Sequence, residues 1–297
     1  MRAGIVAIAA CLVAGCGGGK SPSHASSPPP APRLAFDYRT SAPLHYVDRG
    51  VVAHEGRIAV HDVSYTSSGQ RVDAYLVEQP GAKRRPGVVL VHGSGGDRRQ
   101  LLGTAVAMCK RGAVALTITA PSSAHPPAST GSVQTLLAAS KAETAHDVVA
   151  VRRAADLLSR LANVDPSRLG YLGWSAGAKL GTFVAASDAR FKALALLSAG
   201  ADKLSAFVSA APAALRPLVR RELGSIDPLR YVAAAGAGKL LLEDGTRDTV
   251  IPHRALVNVV DAAPPHTTVR WYAAGHALTA KAFTDATVWL AQRLSAS

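Results

Sequence analysis

Polar and apolar residues alternate along Ile58-Ala59-Val60-His61-Asp62-Val63 and along Val72-Asp73-Ala74-Tyr75-Leu76-Val77, on either side of Ser67-Ser68-Gly69-Gln70. A period of two interrupted by a polar, glycine-containing break predicts an antiparallel pair of strands with one face on a core. Beyond residue 80 the pattern changes to short continuous apolar runs. These are Val88 to Val91, Val114 to Ile118, Leu169 to Leu172, Leu194 to Leu197, Leu240 to Leu242 and Val269 to Tyr272. Strands covered on both faces read this way, as in a parallel sheet. Between them lie helical patterns, clearest at Val148, Val151, Ala154, Ala155, Leu158 and Leu161, whose spacing paints a single apolar stripe. Alternating strands and helices predict right-handed crossovers, and hence an α/β fold with a mostly parallel central sheet and helices on both faces. From Gly200 to Ala235 two helical patterns with Pro212, Pro217 and Pro228 occur without an intervening strand. That stretch is expected to be a small helical cap segment.

The first residues follow a different pattern. Arg2 is a minimal positive region, Ala3 to Val13 is apolar but too short to span a bilayer, and Val13-Ala14-Gly15-Cys16 follows. Small residues before a cysteine resemble a bacterial lipobox, so residues 1–15 are expected to be a lipoprotein signal peptide and Cys16 the acylated anchor. Gly, Ser, Pro and Ala dominate from Gly17 to about Arg33, a composition that cannot bury enough surface to offset its ordering entropy. The expected organisation is a flexible tether over 16–50 and a folded domain over 51–297. The body would be held outside the cytoplasmic membrane through its lipidated N-terminus.

Composition narrows the function classes. With 297 residues, 48% of them hydrophobic, the chain can build one large α/β domain. Its net charge of +13 would suit nucleic acid. The basic residues, however, fall in short runs such as Lys83-Arg84-Arg85, Arg152-Arg153 and Arg220-Arg221, without aromatic interleaving, and the signal directs the chain out of the cytoplasm. No nucleic-acid partner is expected. Of the three cysteines only Cys109 lies outside the signal and anchor, in an apolar helical pattern that suits a small core residue. The ten histidines form no metal-ligand pattern, so neither metal nor cofactor is expected.

Chemistry concentrates at Gly173-Trp174-Ser175-Ala176-Gly177, directly after an apolar run. Glycines flanking a serine allow the sharp strand-to-helix turn that lifts its hydroxyl clear of the backbone. A serine nucleophile also needs a base, an acid to orient that base, and donors for an oxyanion. Asp248 follows the strand ending near Leu242, and His276 follows the strand ending at Tyr272. Both positions are carboxyl ends of strands, the edge where reacting groups gather in an open parallel sheet. Glu243, Asp244 and Asp248 all lie near one strand end; the Gly245-Thr246-Arg247-Asp248 spacing favours Asp248, while His266 precedes its strand and falls at the wrong edge. His92-Gly93-Ser94-Gly95-Gly96 follows the strand Val88 to Val91. The N–H groups of Ser94 and Ala176 are the expected oxyanion donors, and His92 is expected to shape the loop rather than react.

These residues, in the order Ser175, Asp248, His276, resemble the α/β-hydrolase superfamily over about residues 55–295. The run Val164-Asp165-Pro166-Ser167-Arg168-Leu169-Gly170 leading into the serine pentapeptide is similar to the dienelactone-hydrolase, acetyl-xylan-esterase and prolyl-oligopeptidase-like groups. Ala178 departs from them where a further glycine is common, and the strand ending at Thr119 lacks their Asp-x-Arg-Gly turn. The resemblance implies an α/β-hydrolase fold with Ser175 as nucleophile, Asp248 as acid and His276 as base. The expected activity is hydrolysis of a small-molecule carboxylic ester through an acyl-enzyme. The alternatives are amide or peptide hydrolysis on the same fold, or a non-catalytic envelope-tethered binding or scaffold protein.

Overall fold

The computed structural model describes residues 36–81, 83–125 and 130–295. The strands are β1 (Val47–Glu55), β2 (Ile58–Ser67), β3 (Gln70–Glu78), β4 (Arg85–Val91), β5 (Val114–Ile118), β6 (Val164–Trp174), β7 (Phe191–Leu197), β8 (Leu240–Gly245) and β9 (Thr268–Tyr272). Among the described residues they form one nine-stranded sheet in the order β1-β2-β3-β5-β4-β6-β7-β8-β9. The first three strands are antiparallel, β3 also runs antiparallel to β5, and every pair from β5 to β9 is parallel. All six continuous apolar runs are strands of the parallel part, and the two alternating segments are β2 and β3.

The helices are α1 (Leu102–Lys110), α2 (Pro121–Ala124), α3 (Val133–Arg160), α4 (Ala176–Ser187), α5 (Leu204–Ala210), α6 (Arg216–Gly224), α7 (Pro228–Ala233), α8 (His253–Ala262) and α9 (Ala280–Ser295). They divide between the two faces of the sheet. Val89 and Val91 of β4 join α3 and α4 in one apolar cluster, while Val88 and Leu90 join α1 and α9 in another. Successive residues of a pleated strand point to opposite faces, so a single run of valines and leucines feeds both cores. Cys109 is fully buried in the second cluster, where burial pushes its thiol up to about 11.

Two boundaries differ from the sequence reading. Residues 36–50, expected in the tether, are part of the folded body, and β1 begins at Val47. The Phe36 ring lies 5.7 Å from Phe183 and 5.3 Å from Tyr231, with no exposed surface. Arg152 Nη1 donates to the Phe36 carbonyl at 2.6 Å, and Arg153 Nη2 donates to the carbonyls of Ala42 and Pro43 at 2.9 and 2.8 Å. Two buried anchors, Phe36 and Leu44, are too sparse to register as periodicity, and the carbonyls' partners lie more than a hundred residues away. The signal segment, Cys16 and the tether up to residue 35 lie outside the described residues.

The expected cap segment also divides. Val208, Ala211 and Val219, from α5 to α6, form a small cluster with Leu137 at the start of α3 packed against it. Tyr231 and Val232 of α7 instead belong to the main core, with the Tyr231 ring 5.0 Å from Phe183. The last third of the segment is therefore core and not cap.

Candidate active site

Ser175 stands between β6 and α4 with φ 56° and ψ −114°, a conformation that L-residues rarely adopt. Its N–H donates to the Leu197 carbonyl of neighbouring β7 at 2.8 Å, which fixes the turn. The glycines are required by space. A Cβ on Gly173 would lie 2.3 Å from the Gly177 carbonyl oxygen, and one on Gly177 would lie 2.2 Å from that of Val91. Further bonds hold the elbow: Gly177 N–H to the His92 carbonyl at 3.0 Å, and Tyr171 Oη–H to the Gly177 carbonyl at 2.6 Å.

Two loops at the same sheet edge meet this serine. His276, after β9, places Nε2 2.9 Å from Ser175 Oγ and Nδ1 2.8 Å from Asp248 Oδ2. Asp248, after β8, turns its other oxygen to its own loop, where Oδ1 accepts the N–H groups of Val250 and Ile251 at 2.8 and 2.9 Å. One carboxylate oxygen thus fixes the turn and the other fixes the imidazole. With Nδ1–H donated to Asp248, Nε2 carries a lone pair able to accept a proton from the serine hydroxyl. The Asp248 side chain is 1% exposed and that of His276 15%, so the imidazole is shielded but reachable.

The neighbouring acids do different work. Glu243 Oε1 accepts from Arg270 Nη1 and Tyr272 Oη, both at 3.0 Å. Asp244 is fully buried; desolvation, assisted by the charges of Asp248 and Glu243, pushes its carboxyl up to about 7. Neither touches the imidazole, and His266 sits before β9 at the far edge, as its position in sequence requires.

The β4 loop lies beside the elbow because β4 and β6 pair in register, with Val91 opposite Gly173. His92 pins that loop. Its Nδ1–H donates to the Gly93 carbonyl at 2.7 Å, its Nε2 accepts the Ala120 N–H at 3.0 Å, and burial holds its pKa below the usual imidazole value. Gly93 N–H is taken up by Gln100 Oε1 at 2.9 Å. Among the described residues, the N–H groups of Ser94 and Ala176 donate to no other protein group. The first N–H groups of a helix lack intrahelical partners, so Ala176, the first residue of α4, faces the site with a free donor and the positive end of the helix dipole.

A cavity of about 30 Å³ lies beside Ala176 and the base of the β4 loop, lined by Gly93, Ala176, Leu180, Ser122, Ser123 and Asp147. Ser122 donates its N–H and its hydroxyl to Asp147 at 2.9 and 2.5 Å, and burial raises the Asp147 carboxyl above its ordinary value. Sequence reasoning missed these residues, since nothing in their local pattern marks them. It also missed two that hold His276 from behind: Trp174 Nε1–H and Ser198 Oγ–H both donate to the His276 carbonyl, at 3.1 and 3.2 Å. The Trp174 position inside the serine pentapeptide was the available signal.

No family model and no curated protein sequence matches the chain. Solved structures do match. An acetyl xylan esterase from Paenibacillus sp. R4 superposes with a TM-score of 0.67 at 18% identity, covering 84% of this chain and 89% of that one. An acetyl xylan esterase from Thermoanaerobacterium sp. gives 0.66 at 17%, covering 86% and 89%. An S-formylglutathione hydrolase from Agrobacterium tumefaciens gives 0.62 at 15%, covering 82% and 99%. At these identities the likeness is one of fold, and the chain has the α/β-hydrolase fold.

Proposed function

We propose that this protein is a serine hydrolase that cleaves a small carboxylic ester through an acyl-enzyme on Ser175. The observation that carries the reading is the continuous line Asp248 Oδ2, His276 Nδ1, His276 Nε2, Ser175 Oγ, with contacts of 2.8 and 2.9 Å. Ser175 Oγ attacks the ester carbonyl carbon as His276 Nε2 takes its proton, and Asp248 stabilises the imidazolium without itself being protonated. The carbonyl oxygen becomes an oxyanion, stabilised by the N–H groups of Ala176 and Ser94. Collapse breaks the bond to the leaving oxygen, which takes the proton from His276 and departs as an alcohol. Water then repeats the sequence on the acyl-serine: His276 accepts its proton, and Ser175 Oγ recovers it as the carboxylic acid leaves. Acylation of Cys16 would place this chemistry on the outer face of the cytoplasmic membrane.

Replacing Ser175 by Ala tests the mechanism. Turnover of a short activated acyl ester is expected to fall by about four to six orders of magnitude with folding retained. A fluorophosphonate should label wild-type protein at Ser175; an unlabelled, folded wild type would favour a binding protein instead. Loss of membrane association in Cys16→Ser tests the anchor.

A further inference from the structure

A cleft larger than the cavity beside Ala176 lies away from Ser175. It holds about 230 Å³ at the opposite end of the sheet, where β4 begins and where α1 and α9 end. Its rim brings together Lys83, Arg84 and Arg85 before and at the start of β4, Arg111 after α1, and Arg168 within β6. In sequence only the first three are a run; the fold adds two arginines from segments 26 and 83 residues further on, counting from Arg85 to Arg111 and Arg168. Among the described residues Asp165 is the only carboxylate paired with any of these five cations, through Arg168 Nε at 2.8 Å. Counted over these described residues, five positive charges against one leave +4.

A basic run on a surface is ordinarily a solvated face, with side chains that owe each other nothing. Here the backbone that carries them is fixed. Arg85 N–H donates to the Asn163 carbonyl at 2.9 Å, and Arg168 Nη2 donates to the Arg84 carbonyl at 3.2 Å. Arg85 Nη1 and Arg111 Nη1 each spend one donor on a nearby carbonyl, of Gln79 and Ala107, which orients both guanidinium groups and leaves their remaining donors. Lys83 and Arg84 are exposed and, among the described residues, pair with no carboxylate. Such a concentration of like charge is held together against its own repulsion, and an anion relieves that repulsion. Planar guanidinium groups alongside an ammonium suit phosphate oxygens in geometry as well as charge. Pro86 and Ala291, both half-buried, add apolar surface to the lining, which suits the carbon portion of an organic phosphate.

We infer that the cleft of Lys83, Arg84, Arg85, Arg111 and Arg168 binds a phosphate-bearing anion at the end of the molecule opposite Ser175. The phosphate is either free or the head of an anionic phospholipid, and binding there leaves the reactive edge of the sheet uncovered. The site is independent of the chemistry at Ser175.

Isothermal titration of the full chain at low ionic strength tests this with two probes. They are inorganic phosphate and dihexanoyl phosphatidylglycerol kept below its micelle concentration, with chloride at equal ionic strength and dihexanoyl phosphatidylcholine as controls. The Lys83→Ala/Arg84→Ala double variant, which touches no catalytic group, should keep its ester turnover and bind the effective probe at least tenfold more weakly. Binding of phosphatidylglycerol but not phosphatidylcholine supports the site and names a lipid head as its ligand. Binding of inorganic phosphate alone supports it and names the free anion. Binding no tighter than that of chloride, or equal binding by the double variant, overturns it.

Discussion

Trp174 and His276 are joined twice: the indole Nε1–H donates to the His276 carbonyl at 3.1 Å, and the two rings lie with centroids 5.5 Å apart. The residue beside Ser175 therefore holds His276, across 102 residues of sequence. Trp174→Phe keeps an aromatic ring and removes the donor. A neutral hydrogen bond contributes about 1 kcal/mol, so kcat is expected to fall about fivefold with KM little changed. Equal kcat in steady-state assays of the two proteins would show that Ser198 alone fixes the loop.

Gly177 has no room for a side chain, since its Cβ would meet the Val91 carbonyl oxygen at 2.2 Å and that of His92 at 2.8 Å. Both obstacles are backbone at the junction of β4 and the elbow. Gly177→Ala should lower Tm by several degrees and abolish ester turnover. Ala178→Gly, one position on, should keep the reactive geometry and lose only helix stability, about 1 kcal/mol. Calorimetry and an activity assay on both separate the two effects.

His92 is predicted to matter without reacting. Its removal in His92→Ala orphans the buried Ala120 N–H and frees the Gly93 carbonyl, at a cost of about 1–3 kcal/mol. The β4 loop and its Ser94 N–H should then move from the proposed oxyanion position. A kcat reduced about 10- to 100-fold, with fluorophosphonate labelling of Ser175 still detectable, is the expected result.

Asp244 gives a pH dependence of stability. Its carboxyl is raised to about 7 in the fold, against about 4 when unfolded. Between those values the native state holds a proton that the unfolded state has lost, so this contribution is full below pH 4 and is lost as pH rises through 7. Asp244→Asn removes the titration. Its Tm relative to wild type should therefore be higher at pH 8.5 than at pH 5, by about 5 °C if about 2 kcal/mol is recovered. A difference independent of pH would mean that Asp244 stays ionised in the fold.

Phe36 tests where the folded body starts. It is fully buried against Phe183 and Tyr231. Phe36→Ala should cost about 3–5 kcal/mol in denaturant unfolding, the range for a core aromatic. A residue in a flexible tether would cost nothing measurable.

Much of this site was legible because its signals are local. Ser175 is marked by glycines two residues to either side, and those glycines are required by contacts of the elbow with its own β6–α4 junction and the adjoining β4 strand. Asp248 and His276 are marked by following apolar strands. The carboxyl ends of parallel strands share an edge whatever the loop lengths between them, so chain order alone brought the three together. Glu243 and Asp244 were harder to separate from Asp248, because all three crowd one strand end; the distinction came from which carboxylate oxygen reaches the imidazole.

By itself the sequence determined the alternation of strands and helices, the parallel sheet, the turn that exposes Ser175 and the edge to which its partners belong. Each of these follows from periodicity or from the steric freedom of glycine, properties written within a few residues. Only the tertiary structure decided that Phe36 and Pro43 belong to the body, that α7 is core, that Trp174 and Ser198 brace His276, and that Arg111 and Arg168 join Lys83, Arg84 and Arg85 around one cleft. Those are contacts between segments remote along the chain, fixed by how crossovers stack on the sheet, and no local pattern encodes which side chains will meet.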